Sequence, residues 1–283
     1  MKTVLITGCS SGIGLLTACS FANKGYKVYA GVRNIKEIEN NNLKKLQKVN
    51  IKLIELDVTN EIIIKKTVSD IVNNEGKIDI LVNNAGFGFL GPVEAFTLDE
   101  IKDQFDTNVW GMFRVIKEII PVMRSIRNGT IIIVSSINGL VAFPLWGIYS
   151  SSKFAIESMT EALRFEMESF GIRVALVEPG SFRTDFSKNR KMPESLNSSN
   201  SPYKLTTNNF FIKFNAMEAS ANKSKLLQSL FNPQKVADKI VRIAEQSSPK
   251  LHNKIGIDAY AYSWAKRWFP DSLWQLILRK AYR

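Results

Sequence analysis

The middle of the chain holds three side chains whose types and spacing suit the transfer of a proton. Tyr149 and Lys153 lie four residues apart in the run YSSSK, and Ser136 comes thirteen residues before the tyrosine. Residues four apart share one face of a helix, and a lysine ammonium placed there favours the phenolate form of the tyrosine. The pattern predicts a tyrosine that gives and takes a proton while an alcohol and a carbonyl compound are interconverted.

Ser136 adds a hydrogen-bond donor to this arrangement. Its hydroxyl is predicted to donate to the substrate oxygen on which negative charge develops. A free tyrosine has a pKa of about 10, and lowering it by about three units requires about 4 kcal/mol of differential stabilisation. A tyrosine and a lysine at this spacing also occur as a solvated pair on a long helix, so the catalytic interpretation depends on the elements around them.

A glycine-rich turn near the N-terminus predicts an anion site. The apolar run at 3–7 is typical of a buried strand, and the turn that follows it opens a helix. Glycines let the backbone approach a phosphate closely, and the free N–H groups of a helix start favour an anion. The spacing TGxxxGxG differs from the GxGxxG fingerprint, so the interpretation relies on the flanking strand and helix, and a turn that binds nothing is the alternative. The turn consists of Gly8, Cys9, Ser10, Ser11, Gly12, Ile13 and Gly14.

Three later apolar runs are also followed by small or polar residues. Small or polar residues follow them at 83–86 (NNAG), at Ser135 and Ser136, and at the turn that begins with Pro179, while Asn108 falls within a helical stretch. Ligands of open parallel sheets bind outside the carboxyl ends of the strands. These residues are therefore predicted to surround one ligand.

The alternation of strand-like and helical stretches predicts an α/β fold. We expect one doubly wound, Rossmann-type parallel sheet of about seven strands, with helices on both faces and a helical C-terminal extension. The length suits a single domain over 1–283. Strands are predicted near 3–7, 27–32, 51–56, 78–82, 130–135, 174–178 and 254–257, and helices near 13–24, 35–47, 61–75, 98–126 and 149–170.

In order and spacing, these motifs resemble the short-chain dehydrogenase/reductase family. The resemblance covers about residues 1–186, through TGCSSGIG, NNAG, Asn108, Ser136, YSSSK and PGSFRT. It implies an oxidoreductase acting on CH-OH groups in which Asn108, Ser136, Tyr149 and Lys153 are catalytic. In the family the asparagine anchors a water of a proton relay, and the lysine holds the nicotinamide ribose. A cationic nicotinamide ring would share with Lys153 the lowering of the tyrosine pKa.

The resemblance also implies where the cofactor binds. The glycine-rich turn would hold its phosphates, Asp57 after the third strand would contact the adenine, and Thr184 would contact the carboxamide. The implied contacts are Gly8, Ser10, Ser11, Gly12, Ile13, Gly14, Asp57, Val58, Asn84, Ala85, Gly86, Tyr149, Lys153, Pro179, Gly180 and Thr184.

The end of the second predicted strand favours NADP(H) over NAD(H). An acidic residue there hydrogen-bonds a free ribose 2′-hydroxyl, whereas an arginine suits a 2′-phosphate. This chain has Val32 and Arg33 and no Asp or Glu at that point. Arg33 is predicted to bind the phosphate, with Ser10 as a second contact implied by the resemblance. A solvated arginine on a surface turn is the alternative, and NAD(H) then remains usable.

The predicted substrate pocket is apolar. In the family, residues between the catalytic serine and tyrosine, and just after the PG turn, face the substrate. Such walls suit a small hydrophobic alcohol or carbonyl compound: a steroid, a retinoid, or a long-chain or aromatic ketone. The motifs most resemble the hydroxysteroid and retinol dehydrogenase branch. Here the predicted contacts are Ser136, Val141, Phe143, Leu145, Trp146, Tyr149 and Phe182.

Residues 187–232 are predicted to cover that pocket. The run SLNSSNSP indicates a mobile loop, and mobile lids over rigid sites are common in enzymes. Phe210, Phe211, Phe214 and Met217 would supply an apolar surface. A helical flap packed for stability alone is the alternative.

Nearly all of the net charge of +12 lies in the C-terminal third, where residues 187–283 hold 17 Lys and Arg against 6 Asp and Glu. Within 259–283, Pro270 is predicted to divide two helices, with Asp271 or Ser272 capping the second. The second helix is amphipathic. Its apolar face carries Leu273, Trp274, Ile277, Leu278 and Ala281.

This basic extension has more than one interpretation. Trp264, Trp268 and Trp274 interleave with cations, as in helices that lie at a membrane surface. Packing against the protein's own core or a second subunit, and binding to an acidic protein, are the alternatives. The family resemblance implies a homodimer or homotetramer formed through the helices that bear Asn108 and Tyr149.

The remaining composition narrows the function classes. Cys9 and Cys19 lack CxxC spacing and His252 is the sole histidine, so neither a disulfide framework nor a metal site is predicted. His252 is predicted to lie just before the final strand and to be structural or exposed. The sequence shows no signal peptide and no apolar run long enough to span a bilayer, which favours a cytoplasmic protein that is at most peripheral to a membrane.

Two other classes are compatible with parts of the sequence. One is a non-catalytic, NADP-sensing protein on the same scaffold, which would have no need to keep the four catalytic residues together. The other is a basic surface that binds nucleic acid through phosphate contacts. No recognised nucleic-acid module accompanies the charge, so no nucleic acid is expected.

Overall fold

The computed structural model of the protein describes residues 1–47, 51–197, 201–223 and 225–282. Its centre is a sheet of seven parallel strands in the order β3-β2-β1-β4-β5-β6-β7. The predicted Rossmann-type sheet is confirmed. The strands are β1 (Thr3–Ile6), β2 (Lys27–Val32), β3 (Ile51–Glu55), β4 (Ile80–Asn83), β5 (Gly129–Val134), β6 (Ile172–Pro179) and β7 (His252–Ile255).

The order of the strands creates a crevice. From β1 the chain moves outward to β2 and β3, returns past β1 to β4, and continues in the opposite direction to β7. The strand order therefore reverses between β1 and β4. Ligands of doubly wound sheets bind outside the carboxyl ends of the strands at such a point.

Helices cover both faces of the sheet because the strand side chains alternate between them. They are α1 (Gly12–Asn23), α2 (Asn40–Leu46), α3 (Glu61–Glu75), α4 (Leu98–Phe105), α5 (Gly111–Ser125), α6 (Gly147–Glu168), α7 (Phe186–Asn189), α8 (Lys204–Lys223), α9 (Lys225–Leu230), α10 (Gln234–Glu245), α11 (Ile257–Trp268) and α12 (Asp271–Tyr282). Val4 and Ile6 of β1 pack with α1, α2 and α10, whereas Leu5 between them packs with α3, α5 and α6. Among the described helices, none is long and apolar enough to cross a membrane.

Local sequence signals set several helix ends. The Asn60 side chain accepts hydrogen bonds from the first N–H groups of α3, and the helix stops at Gly76, whose φ of 75° is left-handed. Thr97 and Glu100 form a capping box at the start of α4. These caps explain why the helices predicted at 61–75 and from 98 onward begin where they do.

Two predicted helices are interrupted. The stretch 35–47 is a short 3-10 turn at Ile35–Glu37 followed by α2, because the Asn34 side chain caps that turn. The stretch 98–126 consists of α4, a π-helical turn at Asp106–Trp110 and α5. Single π-helical turns inside α-helices occur often at functional sites.

The final strand begins earlier than predicted. β7 starts at His252, which pairs in register with Leu176 of β6, and it ends before Gly256, whose φ is 103°. The placement of His252 just before that strand is therefore wrong. Beyond β7, Pro270 separates α11 from α12 as predicted.

Candidate active site

Ser136 and Tyr149 meet at the carboxyl end of β5. Ser136 follows the strand in an extended conformation, and its hydroxyl oxygen accepts a hydrogen bond of 3.2 Å from the Asn138 N–H. Asn138 is in turn fixed by the Ser150 hydroxyl, which donates to its Oδ1 at 3.1 Å. The Tyr149 side chain, in the first turn of α6, lies near enough to Ser136 for the serine hydroxyl to lower the pKa of the tyrosine. The structure thus brings together the serine and the tyrosine that the sequence singled out.

Lys153 lies one turn further along α6 and is also buried. Its Nζ donates to the Val134 carbonyl at 3.0 Å and lies 5.7 Å from the centre of the Tyr149 ring. Burial lowers the pKa of Lys153 to about 8, and the Glu157 carboxylate opposes that fall because it favours the charged ammonium. The ammonium is therefore held between the end of β5 and the tyrosine.

The chain's own groups raise the pKa of Tyr149. Burial disfavours the phenolate and moves this pKa above its ordinary value, while the hydrogen bond from Ser136 opposes the rise. The lowering expected from Lys153 does not appear in this shift, whose causes are burial and Ser136. A tyrosine that acts as a base here needs a further cation beside it.

Asn108 holds the turn after β4. It is buried in the π-helical turn, where its Oδ1 accepts from the Phe87 N–H at 3.1 Å and its Nδ2 donates to the Phe87 carbonyl at 3.0 Å. Its Nδ2 also lies 3.1 Å from the Ser152 hydroxyl of α6. A Cβ on Gly86 would lie 3.0 Å from Asn108 Oδ1 and 3.9 Å from Lys153 Nζ, so these three residues are neighbours.

The glycine-rich turn fits a phosphate. Helix α1 begins at Gly12, and the flanking Ser11 makes no side-chain capping bond to its first N–H groups. Gly8 has a φ of 71° and Gly12 a φ of 56°, and a Cβ on Gly14 would lie 2.1 Å from the Gly8 carbonyl oxygen. Glycine is therefore required at three positions, and the open helix start can bind the pyrophosphate of a dinucleotide.

The residues after β4 support this turn. The Asn84 Nδ2 donates to the carbonyls of Thr7 at 3.0 Å and Gly8 at 3.1 Å, and the Ala85 N–H donates to the Thr7 hydroxyl at 2.9 Å. Two residues predicted to contact the cofactor thus also hold the phosphate-binding turn in place.

Arg33 lies at the exposed end of β2. Its guanidinium pairs with Glu37 at 3.9 Å, and Glu37 also accepts a hydrogen bond of 2.8 Å from Asn34 Nδ2. Sequence reasoning missed this carboxylate because it lies four residues beyond Arg33. An exposed pair contributes about 0 to 1 kcal/mol, so a ribose 2′-phosphate can displace Glu37 from Arg33.

Asp57 and Val58 follow β3 and have different environments. Asp57 Oδ1 accepts from the Thr59 N–H at 2.9 Å and from the Thr59 hydroxyl at 2.8 Å, which closes the turn. Val58 is buried, and its side chain contacts Gly111 of α5. Contact of Val58 with a cofactor would therefore have to come from its backbone.

A cavity of about 360 Å³ opens at the carboxyl ends of the strands. Its lining is mainly apolar and runs from the glycine-rich turn to the C-terminal helices. The sequence-predicted residues that line it are Ile13, Asn84, Gly86, Ser136, Phe143, Trp146, Tyr149, Lys153, Pro179, Gly180, Phe182, Thr184 and Phe210.

Two predicted wall residues do not line this cavity. Val141 packs with Ile137 and Trp274 in an apolar cluster under the C-terminal helices. Leu145 has a φ of 66°, and its carbonyl accepts a hydrogen bond of 2.8 Å from the Gly91 N–H. Spacing between the serine and the tyrosine did not show which residues of this loop turn away from the substrate.

Phe186, Asp258 and Tyr262 are among the lining residues that sequence reasoning missed. Phe186, just after Thr184, lies 5.3 Å from the Tyr149 ring between centroids. Asp258 and Tyr262 come from α11, and no local motif marks them because their position depends on how that helix packs. Asp258 Oδ2 accepts from the Ser181 N–H, and among the residues that the structure describes it is the only carboxylate of the lining.

The segment predicted as a cover is largely helical. α8 places Phe210 and Lys213 at the cavity, and Phe211 packs against Phe210 with ring centroids 5.8 Å apart. The Arg190 guanidinium lies 5.0 Å from the centre of the Phe211 ring. Residues 198–200, Arg283 and the side chains of Phe214, Met217 and Ala281 lie outside the described residues.

The C-terminal helices pack partly on the protein's own core. Trp274 is 4% exposed, whereas Trp264 and Trp268 are 58% and 65% exposed. Leu278 packs with the cluster that contains Trp274, and Leu273 is exposed. The predicted apolar face of α12 is therefore only partly covered, and α11 presents two tryptophans to solvent.

The sequence matches the short chain dehydrogenase family over residues 2–195. The chain belongs to this family. As a short-chain dehydrogenase it is an oxidoreductase, and the predicted family membership is confirmed.

Relatives of this dehydrogenase act on different substrates according to their names. It is 35% identical over 282 residues to the 3-ketodihydrosphingosine reductase of Bacteroides thetaiotaomicron, covering 99% of this chain and 98% of that one. It is 33% identical over 261 residues to human retinol dehydrogenase 8, covering 90% of this chain and 82% of that one.

Two solved structures superimpose on nearly all of the chain. A short-chain dehydrogenase from Streptomyces avermitilis has a TM-score of 0.77 and 28% identity, with 99% of each chain covered. ElxO with NADP bound has a TM-score of 0.71 and 25% identity, covering 90% of this chain and 96% of that one.

Proposed function

We propose that the protein uses NADP(H) to interconvert a long-chain, amphipathic alcohol and its ketone, with Tyr149 as the acid and base. The apolar cavity beside Tyr149 is the observation that carries this proposal. One relative that matches nearly the full length of both chains is named as a reductase of 3-ketodihydrosphingosine, a long-chain ketone that also carries an amine. A steroid, retinoid or aromatic substrate is the alternative for the same walls.

In this mechanism the bound nicotinamide supplies or accepts a hydride, and the chain's own side chains handle the proton. The Ser136 hydroxyl is near enough to Tyr149 to act on its pKa, so both hydroxyls can donate to one substrate oxygen. Tyr149 gives its proton to that oxygen during reduction and takes one from the alcohol during oxidation. Ser136 stabilises the charge that develops on the oxygen.

Lys153 has a positioning and an electrostatic role in this proposal. Its ammonium has three donors, of which one is used by the Val134 carbonyl. The others can donate to a ribose hydroxyl of the cofactor. Because burial raises the pKa of Tyr149, the lysine and the positive nicotinamide together have to stabilise the phenolate when the enzyme oxidises an alcohol.

The preference for NADP(H) rests on Arg33 and on the open turn at α1. Arg33 and this turn lie where the family would place the adenosine phosphate. The Arg33 guanidinium would give up only its exposed pair with Glu37 to bind that phosphate. The 2′-phosphate carries more charge than that carboxylate and accepts two parallel hydrogen bonds from a guanidinium.

Asp258 supports a substrate with a positive group. Its Oδ1 is buried against Gly180 and has no hydrogen-bond partner in the described part of the chain, and the residue lines the apolar cavity. A substrate ammonium would satisfy that oxygen. We therefore expect Asp258→Asn to lower kcat/KM for an amine-bearing ketone more than for an uncharged ketone of equal chain length.

A substrate panel followed by NADPH absorbance tests the proposed function. It contains 3-ketodihydrosphingosine, an uncharged long-chain ketone, a steroid ketone, retinal and an aromatic aldehyde. The long-chain ketones should give the highest kcat/KM, and Tyr149→Phe should lower it by about 10²- to 10⁴-fold. A higher kcat/KM with the steroid or with retinal rejects the long-chain assignment. NADPH binding without turnover of any compound favours a nucleotide-sensing protein instead.

We also propose that two copies associate through α5 and α6. Aromatic side chains on or next to these helices are exposed although they are apolar, and a second copy would cover them: Trp110, Phe113, Phe154 and Phe165. Light scattering during gel filtration tests this, and a monomer at all concentrations would reject it.

A further inference from the structure

A second cluster of ionisable side chains lies one helical turn beyond Lys153. Glu157 is on α6, Glu178 is on β6 and His252 opens β7. His252 Nδ1 is 2.7 Å from Glu178 Oε1 and 3.7 Å from Glu157 Oε2. One possible ligand atom from each of the three residues lies within 4.8 Å of the other two. Three elements of the fold therefore converge on one point.

The two carboxylates are buried and have unused acceptors. Glu157 is 5% exposed and Glu178 is 0% exposed. Within the described residues, neither oxygen of Glu157 has a hydrogen-bond partner, and Glu178 Oε2 has none. The Ser135 hydroxyl lies close enough to lower the pKa of Glu157, although its geometry falls short of a full hydrogen bond. Buried charges in proteins are paired or coordinate metals.

Burial raises the pKa of Glu157 and of Glu178 to about 7, and the charge of Glu178 adds to the rise at Glu157. Three positive groups oppose this, because His252 and Lys153 act on Glu157 and Lys254 acts on Glu178. Neither lysine is within ion-pair distance of these carboxylates.

The second nitrogen of His252 faces a third carboxylate. Its Nε2 lies 3.5 Å from Glu161 Oε1, one further turn along α6. Histidines that bind a metal almost always donate their other ring N–H to a carboxylate, a backbone carbonyl or a water, which fixes the tautomer. With Nε2–H directed at Glu161, the Nδ1 lone pair faces Glu157 and Glu178.

The separations and the exposure suit a small ion. Ligand atoms of a tetrahedral Zn²⁺ site with bonds of about 2.1 Å lie about 3.4 Å apart, which falls between the two observed Nδ1 to oxygen distances. The side chains of His252 and Glu161 are 40% and 54% exposed, so an ion has a route in from solvent.

We propose that Glu157, Glu178 and His252 bind one divalent transition-metal ion, with Zn²⁺ the best match to an imidazole and two carboxylates. The ion would engage the unused oxygens and tie α6, β6 and β7 together beneath the active site. This role is structural. It is independent of the proposed substrate, since none of the residues assigned to proton transfer is a ligand.

Calorimetric titration of the chelator-treated full chain with ZnCl₂ at about pH 7.5, where the ligands can lose their protons, tests the site. We expect one Zn²⁺ per chain and a higher Tm in its presence. His252→Gln and Glu178→Gln should abolish this binding, and Glu161→Gln should weaken it by about 10- to 100-fold. Cys19→Ser is the matched control for capture by the partly exposed thiol and should bind as the wild type does.

Three results would overturn the proposal: no Zn²⁺ binding to the wild type, equal binding to His252→Gln and Glu178→Gln, or equally tight binding of Mg²⁺, which prefers an all-oxygen site. Thermal unfolding without metal establishes that each variant folds. If Glu178→Gln does not fold, the result rests on His252→Gln, because His252 is partly exposed and its replacement leaves the core unchanged.

Discussion

The rings of Trp146 and Phe186 lie nearly parallel, 12° apart in plane and 6.4 Å apart between centroids, and Tyr149 contacts both. Trp146 comes from the loop before α6 and Phe186 from the segment after β6. Two stretches of chain forty residues apart therefore build one aromatic wall beside the proposed catalytic hydroxyl. A substrate carbonyl that reaches Tyr149 has to contact this wall.

Replacing Phe186 with alanine should weaken the handling of long-chain ketones. An aromatic pair is worth about 0.5 to 1.5 kcal/mol beyond its buried area, so we expect a loss of about 3- to 10-fold in kcat/KM, mainly through a higher KM. Steady-state kinetics on a series of chain lengths measures this. Ile62→Ala, on the distant and exposed surface of α3, is the control. Equal losses for short and long chains would contradict a role in chain binding.

Lys153→Met should make the protein more stable and inactive. Burial lowers the pKa of Lys153 from 10.5 to about 8, so the charged lysine destabilises the folded wild type by about 3 kcal/mol at neutral pH. The variant avoids this cost but loses the hydrogen bond to Val134, which offsets about 1 kcal/mol of the gain. Urea unfolding in the presence of chelator measures the gain, and NADPH turnover measures the loss of activity. A variant that is both inactive and less stable would contradict this account.

The difference in unfolding free energy between Lys153→Met and the wild type should change with pH in one direction. Between about pH 8 and 10.5 the unfolded chain carries a proton on Lys153 that the folded chain does not, so the wild type becomes more stable relative to Lys153→Met as pH rises through this window. The advantage of the variant should therefore shrink by about 2 kcal/mol between pH 7 and pH 10. A constant difference would show that the folded lysine keeps its ordinary pKa.

Arg33→Ala should change the choice of cofactor. Loss of a charge-assisted pair with the 2′-phosphate corresponds to about 1.5 to 3 kcal/mol, or about 10- to 100-fold in kcat/KM for NADPH, with little change for NADH. Glu37→Gln, which removes the competing carboxylate seen in the structure, should raise kcat/KM for NADPH. Equal losses for both cofactors in Arg33→Ala would reject the phosphate contact.

Much of the sheet and of the proton-transfer group could be predicted because both depend on local order in the sequence. Strand-like runs that end in small or polar residues locate the carboxyl edge of the sheet, where ligands bind. The helical repeat places Tyr149 and Lys153 on one face of a helix. The same reasoning could not give the sign of the Tyr149 pKa shift. That sign depends on how deeply the hydroxyl is buried, which is a property of the whole fold.

Tertiary packing determines the positions of the residues that the sequence did not predict correctly. Asp258 enters the cavity because α11 folds back over the end of β6, and Val141 leaves it because Trp274 of α12 packs against it. The sequence around Asp258 and the sequence around Val141 are each compatible with a position inside or outside the cavity. His252 illustrates the same limit, since only the pairing of β7 with β6 brings it to Glu157 and Glu178.

The exposed aromatic and basic residues of α11 and α12 suit the surface of an anionic membrane. Trp264 and Trp268 are more than half exposed, and the Arg267 guanidinium lies 5.6 Å from the centre of the Trp268 ring. An interfacial helix buries such rings at the headgroup level while its cations meet anionic lipids. Tyr262 of the same helix lines the cavity, and it lies on the face of α11 opposite Trp264 and Trp268. We propose that α11 holds the protein at a membrane on its tryptophan face while its other face borders the cavity for the long-chain substrate.

Co-sedimentation with vesicles tests the membrane contact. At low salt the protein should bind vesicles that contain phosphatidylserine and not vesicles of phosphatidylcholine alone, because each cation near the surface contributes about 1 kcal/mol. The double variant Trp264→Ala, Trp268→Ala should reduce binding by about 10-fold or more, since burying one large apolar side chain is worth about 1.5 to 3 kcal/mol. Ile62→Ala removes an even more exposed apolar side chain from α3 and should bind as the wild type does. Binding that is absent from anionic vesicles, or unchanged in the double variant, would show that these tryptophans serve a protein contact instead.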